Sequence, residues 1–388
     1  MGSTVIRALA LAGSVACLAA ATATPAMSAA RLAPAVRPAS SAQTWSISKI
    51  LNEKRYDKLL TLTAVGSRDA WAFGQTSSGG PIAVHWDGSA WTGAHIPGAF
   101  APPGFISATG PDNIWAGGSK CTSGARGTSV TASYVARYNG RTWTSRKWTT
   151  AAFCEAALVT TGPKNGWLLG DNRALHFTGK RWRKVSLPAL GQVIAATAVS
   201  PTDIWTIGGR FNAVHLSQSK AFFTHYDGHR WRTVPLPHIT LPKHGYIYPY
   251  AVAAASARDV WAAATIYPAA EHSFLLHFTG KRWRAIPLPA KAAQLVQVVP
   301  DGSNGVWAIM FRSASGEYAF ARYARGDWKY DAVPTAGLPG LVPGSASFDV
   351  YALARIPGST SMLASGDVFY SNAKNASIMD SLIFRYGP

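Results

Sequence analysis

Residues 203–231 read DIWTIGGRFNAVHLSQSKAFFTHYDGHRW, and this stretch contains both halves of a repeat that runs through most of the chain. The first half is an acidic or amide residue two positions before a Trp, here Asp203 and Trp205. The second half is a basic residue, an aromatic residue, a Gly turn and a second Trp, here His225 to Trp231. Because the two halves recur in a fixed order, the same local structure is expected to recur along the chain.

The repeat has constant spacing within each half. The first half lies at Asp69–Trp71, Asn113–Trp115, Asn165–Trp167, Asp203–Trp205 and Asp259–Trp261, and again at Trp307 with Gly305 in the acidic position. The second half lies at His85–Trp91, Arg137–Trp143, His176–Trp182, His225–Trp231, His277–Trp283 and Arg322–Trp328. A period of about 40 to 50 residues built from short strand-like runs is the signature of a β-propeller, in which each repeat forms one four-stranded blade.

Each repeat divides into four strands, which we call a to d. A run of small residues such as Ala251–Ala254 predicts strand a, the first Trp lies on strand b, the basic–aromatic pair on strand c and the second Trp on strand d. The turns Asp87-Gly88, Asn139-Gly140 and Asp227-Gly228 are strong hairpin signals, because both central residues tolerate positive φ.

The two ends of the chain complete a further blade. Residues Phe384–Pro388 match the basic–aromatic–Gly strand of a repeat, but the chain stops before its second Trp. The segment Trp45–Ile47, ahead of the first complete repeat, supplies the missing strand. The sequence therefore predicts a seven-bladed ring closed by the N-terminal strand. Six blades with irregular tails are the alternative, which leaves two sheet edges unpaired.

The N-terminal region is expected to be an export signal. Arg7 precedes an Ala/Leu-rich run and a stretch of small residues, which is typical of a secretory signal peptide. A transmembrane anchor is disfavoured because the run is Ala-rich and interrupted, and lipid attachment at Cys17 is a weaker alternative. The predicted organisation is a signal peptide over residues 1–30, a Pro/Ala/Ser linker over 31–43 and a single all-β propeller over 44–388.

Export has consequences for the cysteines and for location. Without the signal peptide, Cys121 and Cys154 remain. Paired cysteines form disulfides in oxidising compartments, so we predict one Cys121–Cys154 disulfide, with two unrelated buried thiols as the alternative. The protein is expected to be secreted and extracellular, either free or associated with the cell surface, and to have no transmembrane segment.

The motifs resemble those of two kinds of known propeller. The glycine pairs Gly117-Gly118 and Gly208-Gly209 give a loose resemblance to kelch and galactose-oxidase-type repeats. The Asp-x-Trp-Ala and aromatic-Asp-Gly-x-x-Trp motifs resemble those of Trp-rich secreted propellers of high-GC Gram-positive bacteria, over Trp45 to Pro388. The resemblance implies the fold and little about chemistry, since propellers host lectins, hydrolases, lyases, oxidases and scaffolds.

One basic residue recurs on strand c of every repeat: His85, Arg137, His176, His225, His277, Arg322 and Arg385. Because it recurs once per blade, we interpret it as structural, hydrogen-bonded to the a–b turn, as Asp69 with His85. A catalytic or metal-binding ring is the alternative. The recurring Trp residues are likewise predicted to pack between blades.

The chain is strongly basic, with 37 Lys and Arg against 18 Asp and Glu and a formal net charge of +19. Many of these residues flank the second Trp, as in Lys180–Lys184 and Lys281–Arg284, where they discourage edge-to-edge pairing of outer strands. The excess charge also favours polyanions such as teichoic acids, acidic polysaccharides and anionic lipid surfaces. Nucleic acid is not an expected partner, because no binding motif is present.

Ligand contacts are predicted on the face that carries the variable b-to-c and d-to-a connections, such as residues 211–219 and 235–245, which we call the b–c face. Aromatic rings stack on sugars, and Arg, Asn and Glu hydrogen-bond their hydroxyls. The candidate ligand-binding residues are Arg210, Phe211, Asn212, His244, Tyr246, Tyr248, Tyr267, Glu271 and His272. The alternative is that Tyr246, Tyr248 and Tyr250 are one buried face of strand a.

The predicted function is a non-enzymatic, lectin-like binding module for a glycan or an anionic cell-wall polymer. No catalytic residue, metal or cofactor is predicted, because the sequence has no nucleophile elbow, phosphate loop or metal-ligand spacing. A polysaccharide lyase or glycoside hydrolase is the alternative, with His244, Tyr248 and His272 as an acid/base set. A scaffold for another secreted protein is a third hypothesis.

Overall fold

The structure is a computed structural model that describes residues 43–387, apart from 52–56, 100, 125–126, 149–156, 171–172, 189–190, 213–214, 268–271, 290–292 and 375. These residues form 28 β-strands and one short 3₁₀ helix, Leu216–Gln218. The fold is all-β, as the sequence predicts. In the described part of the chain, no helix has the length and apolar character needed to cross a membrane.

The strands follow the repeats, and after β1 (Trp45–Leu51) they form groups of four that we number in chain order. Group 1 contains β2 (Lys58–Gly66), β3 (Asp69–Gln75), β4 (Pro81–Trp86) and β5 (Trp91–Ala94). Group 2 contains β6 (Phe105–Gly110), β7 (Asn113–Gly124), β8 (Gly127–Tyr138) and β9 (Trp143–Trp148). Group 3 contains β10 (Ala157–Gly162), β11 (Asn165–Gly170), β12 (Arg173–Phe177) and β13 (Trp182–Ser186).

The second half of the chain continues the same order. Group 4 contains β14 (Gln192–Ser200), β15 (Asp203–Arg210), β16 (Lys220–Tyr226) and β17 (Trp231–Val234). Group 5 contains β18 (Tyr246–Ser256), β19 (Asp259–Tyr267), β20 (His272–Phe278) and β21 (Trp283–Pro287). Group 6 contains β22 (Ala293–Pro300), β23 (Val306–Arg312), β24 (Glu317–Ala324) and β25 (Asp327–Ala332). Group 7 contains β26 (Ser347–Arg355), β27 (Met362–Ser371) and β28 (Ser377–Tyr386), together with β1.

Each group is an antiparallel sheet with its strands in chain order, which the short a–b and c–d turns require. Groups 5 and 6 are joined into one eight-stranded sheet by a parallel bridge between His272 and Ala293. The described residues therefore form a propeller of six to seven four-strand blades, according to whether that joined sheet counts as one blade or two. The first strand of each group contacts the first strand of the next, and β26 contacts β2, so the a strands surround the ring axis.

The N-terminal strand completes the last blade, as predicted. Strand β1 pairs antiparallel with β28, with Trp45 opposite Tyr386. Trp45 also meets Trp307 of group 6 edge-on, with ring centroids 5.5 Å apart. The same edge-on contact joins strand b of one group to strand d of the next at Trp71–Trp143, Trp115–Trp182, Trp167–Trp231 and Trp205–Trp283, at 5.3 to 5.7 Å. The recurring Trp residues thus form the core between neighbouring blades.

Candidate functional site

The recurring His of strand c is a structural element. His85, His176, His225 and His277 each place Nε2 at 2.8 to 3.0 Å from the Asp or Asn of the a–b turn. Each imidazole also stacks on the Trp of strand b, with ring centroids 3.6 to 4.2 Å apart. Burial lowers the pKa of His176. These contacts confirm the structural interpretation for the four histidines, whereas Arg137 lies over the Trp115 ring at 5.7 Å and its buried Nε has no hydrogen-bond partner among the described residues.

Group 6 makes the same contact with a different acidic residue. The sequence pattern assigns Gly305 to the acidic position and does not identify Asp301. The buried Asp301 carboxylate accepts two hydrogen bonds from the Arg322 guanidinium, at 2.6 and 2.9 Å, and one from the Gly305 amide at 2.9 Å. Burial opposes ionisation of Asp301, but these hydrogen bonds outweigh it and lower the pKa of the carboxyl.

The predicted tyrosine site of groups 4 and 5 is largely buried. Tyr246, Tyr248 and Tyr250 each expose only 8 to 9% of their surface. The Tyr250 hydroxyl lies 2.6 Å from that of Tyr267 and donates to Gln294 Oε1 at 3.2 Å. Burial raises the pKa of Tyr246 and Tyr250. The structure therefore places these tyrosines in the core. This agrees with the alternative interpretation, in which they form one buried face of strand a.

The other candidates of groups 4 and 5 surround that core. Arg210, His244 and His272 are exposed, Phe211, Asn212 and Tyr267 are half-buried, and Glu271 lies outside the described residues. Phe211 packs against Tyr248, with ring centroids 4.8 Å apart. Because Tyr248 is buried, it does not face solvent together with His244 and His272 as the acid/base set requires. A ligand-binding role for the exposed residues stays a prediction.

The predicted disulfide is not tested by the described residues. Cys154 lies outside them, as does the side chain of Cys121. The same holds for the signal peptide and for nearly all of the linker, residues 31–42. These assignments stay predictions.

A polar cluster that the repeat pattern does not indicate lies where group 7 meets group 1. Asp349 on β26 and Asp367 on β27 are directly opposite in an antiparallel pair, so both side chains lie on one side of the sheet. A bulge at Tyr351 places its hydroxyl 3.1 Å from Asp349 Oδ2 and 2.9 Å from Asp367 Oδ2. Lys58 on β2 reaches across, with Nζ 2.9 Å from Tyr351 Oη and 3.4 Å from Asp367 Oδ2. We call Lys58, Asp349, Tyr351 and Asp367 the seam cluster.

Buried residues next to the seam cluster fix its position through hydrogen bonds. Ser381 on β28 lies opposite Asp367 and donates to its Oδ1 at 3.1 Å, and it also contacts the Asp57 carbonyl oxygen. The Asp57 carboxylate accepts a hydrogen bond from the Ser77 amide at 3.0 Å, which ties the b-to-c connection of group 1 to the start of β2. Because each polar partner is itself bonded, the cluster is preorganised.

Burial controls the electrostatics of the cluster. Asp367 is only 2% exposed, and desolvation raises the pKa of its carboxyl to about 6, although Lys58 and Tyr351 oppose that shift. Burial and the two carboxylates raise the pKa of Tyr351, so its hydroxyl stays protonated. Burial and Asp349 also raise the pKa of Tyr318 of group 6 to about 12. Near neutral pH the cluster therefore presents a neutral Tyr351 hydroxyl beside an ionised Asp367 carboxylate.

An exposed aromatic ring lies beside the seam cluster. Phe369 is 51% exposed and follows Asp367 by two residues on β27. Its partner on β26 is Ser347, so it lies on the same side of the sheet as Asp349 and Asp367, about 7 Å along the strand. Asp349 is exposed, and Lys58 and Tyr351 are half-buried. Accessible donors and acceptors thus adjoin an aromatic face at the b–c end of the strands.

The seam cluster offers hydrogen-bond donors and acceptors to a ligand. Among the residues that the structure describes, no group of three or more His, Cys, Asp or Glu is placed to hold a metal ion. Lys58 Nζ carries three N–H donors, two of which face Tyr351 and Asp367, so within the described part of the chain the third is left for a ligand. The exposed Asp349 carboxylate offers further acceptor positions.

Comparison with known proteins identifies the fold and no family. No protein-family model matches the chain, and no curated protein matches it. YCF48 from Cyanidioschyzon merolae is similar at 12% identity with a TM-score of 0.55, over 89% of this chain and 99% of that one. The GH74 xyloglucanase from Xanthomonas campestris is similar at 14% identity with a TM-score of 0.55, over 87% of this chain and 55% of the enzyme. Identities this low show a shared propeller fold alone.

Proposed function

We propose that the protein is a secreted, non-enzymatic, lectin-like module that binds a glycan or an anionic wall polymer on its b–c face. The observation that carries the proposal is the exposed Phe369 ring beside the preorganised seam cluster. A sugar presents an apolar C–H face and hydroxyls that donate and accept. Phe369 offers the stacking surface, and Lys58 and Asp349 offer the donor and the acceptor.

Turnover is the second candidate, because one observation favours it. Asp349 and Asp367 lie on either side of the Tyr351 hydroxyl, and the raised pKa of Asp367 suits a general acid. A glycoside hydrolase, however, brings both carboxyls to the scissile bond. Asp367 is buried behind Tyr351 and Lys58, so it is better placed to orient these side chains than to reach a substrate.

We also propose that the ring has seven blades, with groups 5 and 6 as separate blades. The support is that each has its own four antiparallel strands and its own a strand in the cyclic order of contacts. Export is supported by the signal-like N-terminus. A protein partner on the same face is the third candidate; YCF48, similar in fold, is described in complex with a D1 peptide.

A glycan array tests the proposal, with wild type compared with Phe369→Ala at low and at ~0.15 M salt. Tyr330→Ala is the matched control, because Tyr330 is also an exposed aromatic, on the outer strand of group 6. We expect saturable, sugar-inhibitable binding that falls about tenfold or more in Phe369→Ala and is unchanged in Tyr330→Ala.

The outcomes separate the three candidates. Release of shortened products from a bound oligosaccharide identifies a hydrolase or lyase and contradicts the non-enzymatic assignment. Binding that is equal in the two Ala variants places the ligand elsewhere. No saccharide binding under any condition leaves the protein-partner hypothesis in its place.

A further inference from the structure

A groove of about 590 Å³ lies at the seam between groups 3 and 4. One side is the end of β13 and the residues after it, Val185 to Pro188, and the other is the c–d turn of group 4, His229 to Trp231. Trp167, His176 and Tyr226 complete the lining. None of these residues belongs to the seam cluster, which lies three groups away along the ring.

Strand c of group 3 carries a smaller residue at this seam than strand c of two other groups does at theirs. At two other seams a Phe of strand c stacks on the strand-d Trp of the next group: Phe223 on Trp283 at 4.1 Å, and Phe320 on Trp45 at 3.8 Å. The corresponding residue of group 3 is Ala174, two positions before His176 as Phe223 is two before His225. Trp231 therefore lacks the ring that covers Trp283 and Trp45.

The groove combines aromatic and apolar walls with a basic rim. His229 and Arg230 are exposed at the rim. In the described part of the chain Arg230 has no ion-pair partner, because the nearby Asp227 pairs with Arg232 at 2.8 Å.

We infer that this groove binds a carboxylate-bearing sugar residue of an acidic polysaccharide. The Arg230 guanidinium pairs with the carboxylate, where two parallel hydrogen bonds are possible. The sugar's C–H face lies against the aromatic and aliphatic walls of the groove. A neutral sugar lacks the charge that Arg230 complements. The site uses no residue of the proposed glycan site, so either proposal can fail without the other.

Calorimetric titration with tetragalacturonate at ~0.15 M salt tests the inference, with a neutral galactose tetramer as the comparison ligand. Arg230→Gln is expected to weaken tetragalacturonate binding about tenfold or more. Arg282→Gln is the matched control, because Arg282 precedes Trp283 as Arg230 precedes Trp231, at a seam that Phe223 covers. Arg282→Gln and Phe369→Ala are expected to leave this affinity within about twofold.

A second variant tests the groove without changing charge. Ser186→Trp fills the groove from an exposed lining position and is expected to remove tetragalacturonate binding while the melting temperature is kept. If this variant does not fold, the comparison of Arg230→Gln with Arg282→Gln still tests the inference. Equal losses in Arg230→Gln and Arg282→Gln, equal affinity for the neutral tetramer, tighter binding of a glycerol phosphate polymer, or no binding of tetragalacturonate each overturn the inference.

Discussion

His277 on strand c of group 5 makes two side-chain contacts with strand b. Its ring stacks on Trp261 at 3.6 Å, and its Nε2 lies 2.8 Å from Asp259 Oδ1. We expect Asp259→Ala to lower the free energy of unfolding by about 1–3 kcal/mol, because the half-buried imidazole loses its partner. Urea denaturation measures this. Asp327→Ala, at an exposed strand-d carboxylate, is the control and is expected to change less than ~0.5 kcal/mol.

Asp367 makes the stability of the folded protein depend on pH, and the direction of this dependence follows from its raised pKa. The folded value, about 6, lies above the ordinary 3.8, so the folded protein binds this proton more tightly than the unfolded chain. The resulting stabilisation is full below about pH 4 and is lost as pH rises through about 6. We expect the melting temperature of wild type, relative to Asp367→Asn, to rise from about pH 7 to about pH 5. Parallel profiles would show that Asp367 keeps its ordinary pKa.

Which residues could be predicted from the sequence depends on whether they repeat. The His–Asp contacts recur at fixed spacing, so the sequence predicts them. Asp301 could not be predicted from the spacing. It lies six residues before Trp307, whereas the acidic or amide residue of the other repeats lies two residues before the Trp. In group 7 the strand-b residue opposite Arg385 is Leu363, whereas the other groups have a Trp at this position. Asp349 and Asp367 lie together only because the register of β26 and β27 pairs them. The departure of group 7 from the motif was the available signal.

Among the secondary-structure elements, the turns and strands can be predicted well from the sequence. Asp-Gly and Asn-Gly hairpins and alternating apolar residues predict the c–d turns and the blades they join. The face on which a strand's side chains lie was harder to predict. Strands a of groups 1, 4, 5, 6 and 7 contain a bulge, which shifts the alternation by one residue. Tyr250 and Tyr351 lie at these bulges, one buried and one half-buried.

Strand β1 is the element on which ring closure depends. Its removal takes Trp45 away from Trp307, Phe320 and Tyr386 and leaves β28 with a free edge. We expect a chain that lacks residues 43–51 to melt at a lower temperature or to aggregate. A chain that lacks residues 31–42 is the control and is expected to melt as wild type does. Equal melting temperatures in calorimetry would contradict closure by β1.

At the scale of the whole molecule, charge and site are separate features. The outer strands of groups 3 and 5 expose Arg181, Arg183, Arg282 and Arg284, whereas the seam cluster lies on inner strands. Neutralising these four residues is expected to lower binding to any polyanion at low salt, with little effect at ~0.15 M salt, where screening acts beyond ~8 Å. Cosedimentation with isolated wall polymer over a salt series measures both. Loss of the salt-resistant fraction would place the selective site on the outer strands.

Hydrogen–deuterium exchange with and without the leading glycan from the array shows whether the ligand binds at the seam cluster. We expect the ligand to slow exchange in peptides that cover residues 57–59, 347–351 and 367–371, because Lys58, Asp349 and Phe369 contact it. Peptides that cover residues 210–212 and 244–248 are predicted to exchange at the same rate in both states. Protection of those peptides, with none at residues 347–351 and 367–371, would contradict the claim and place the ligand on groups 4 and 5.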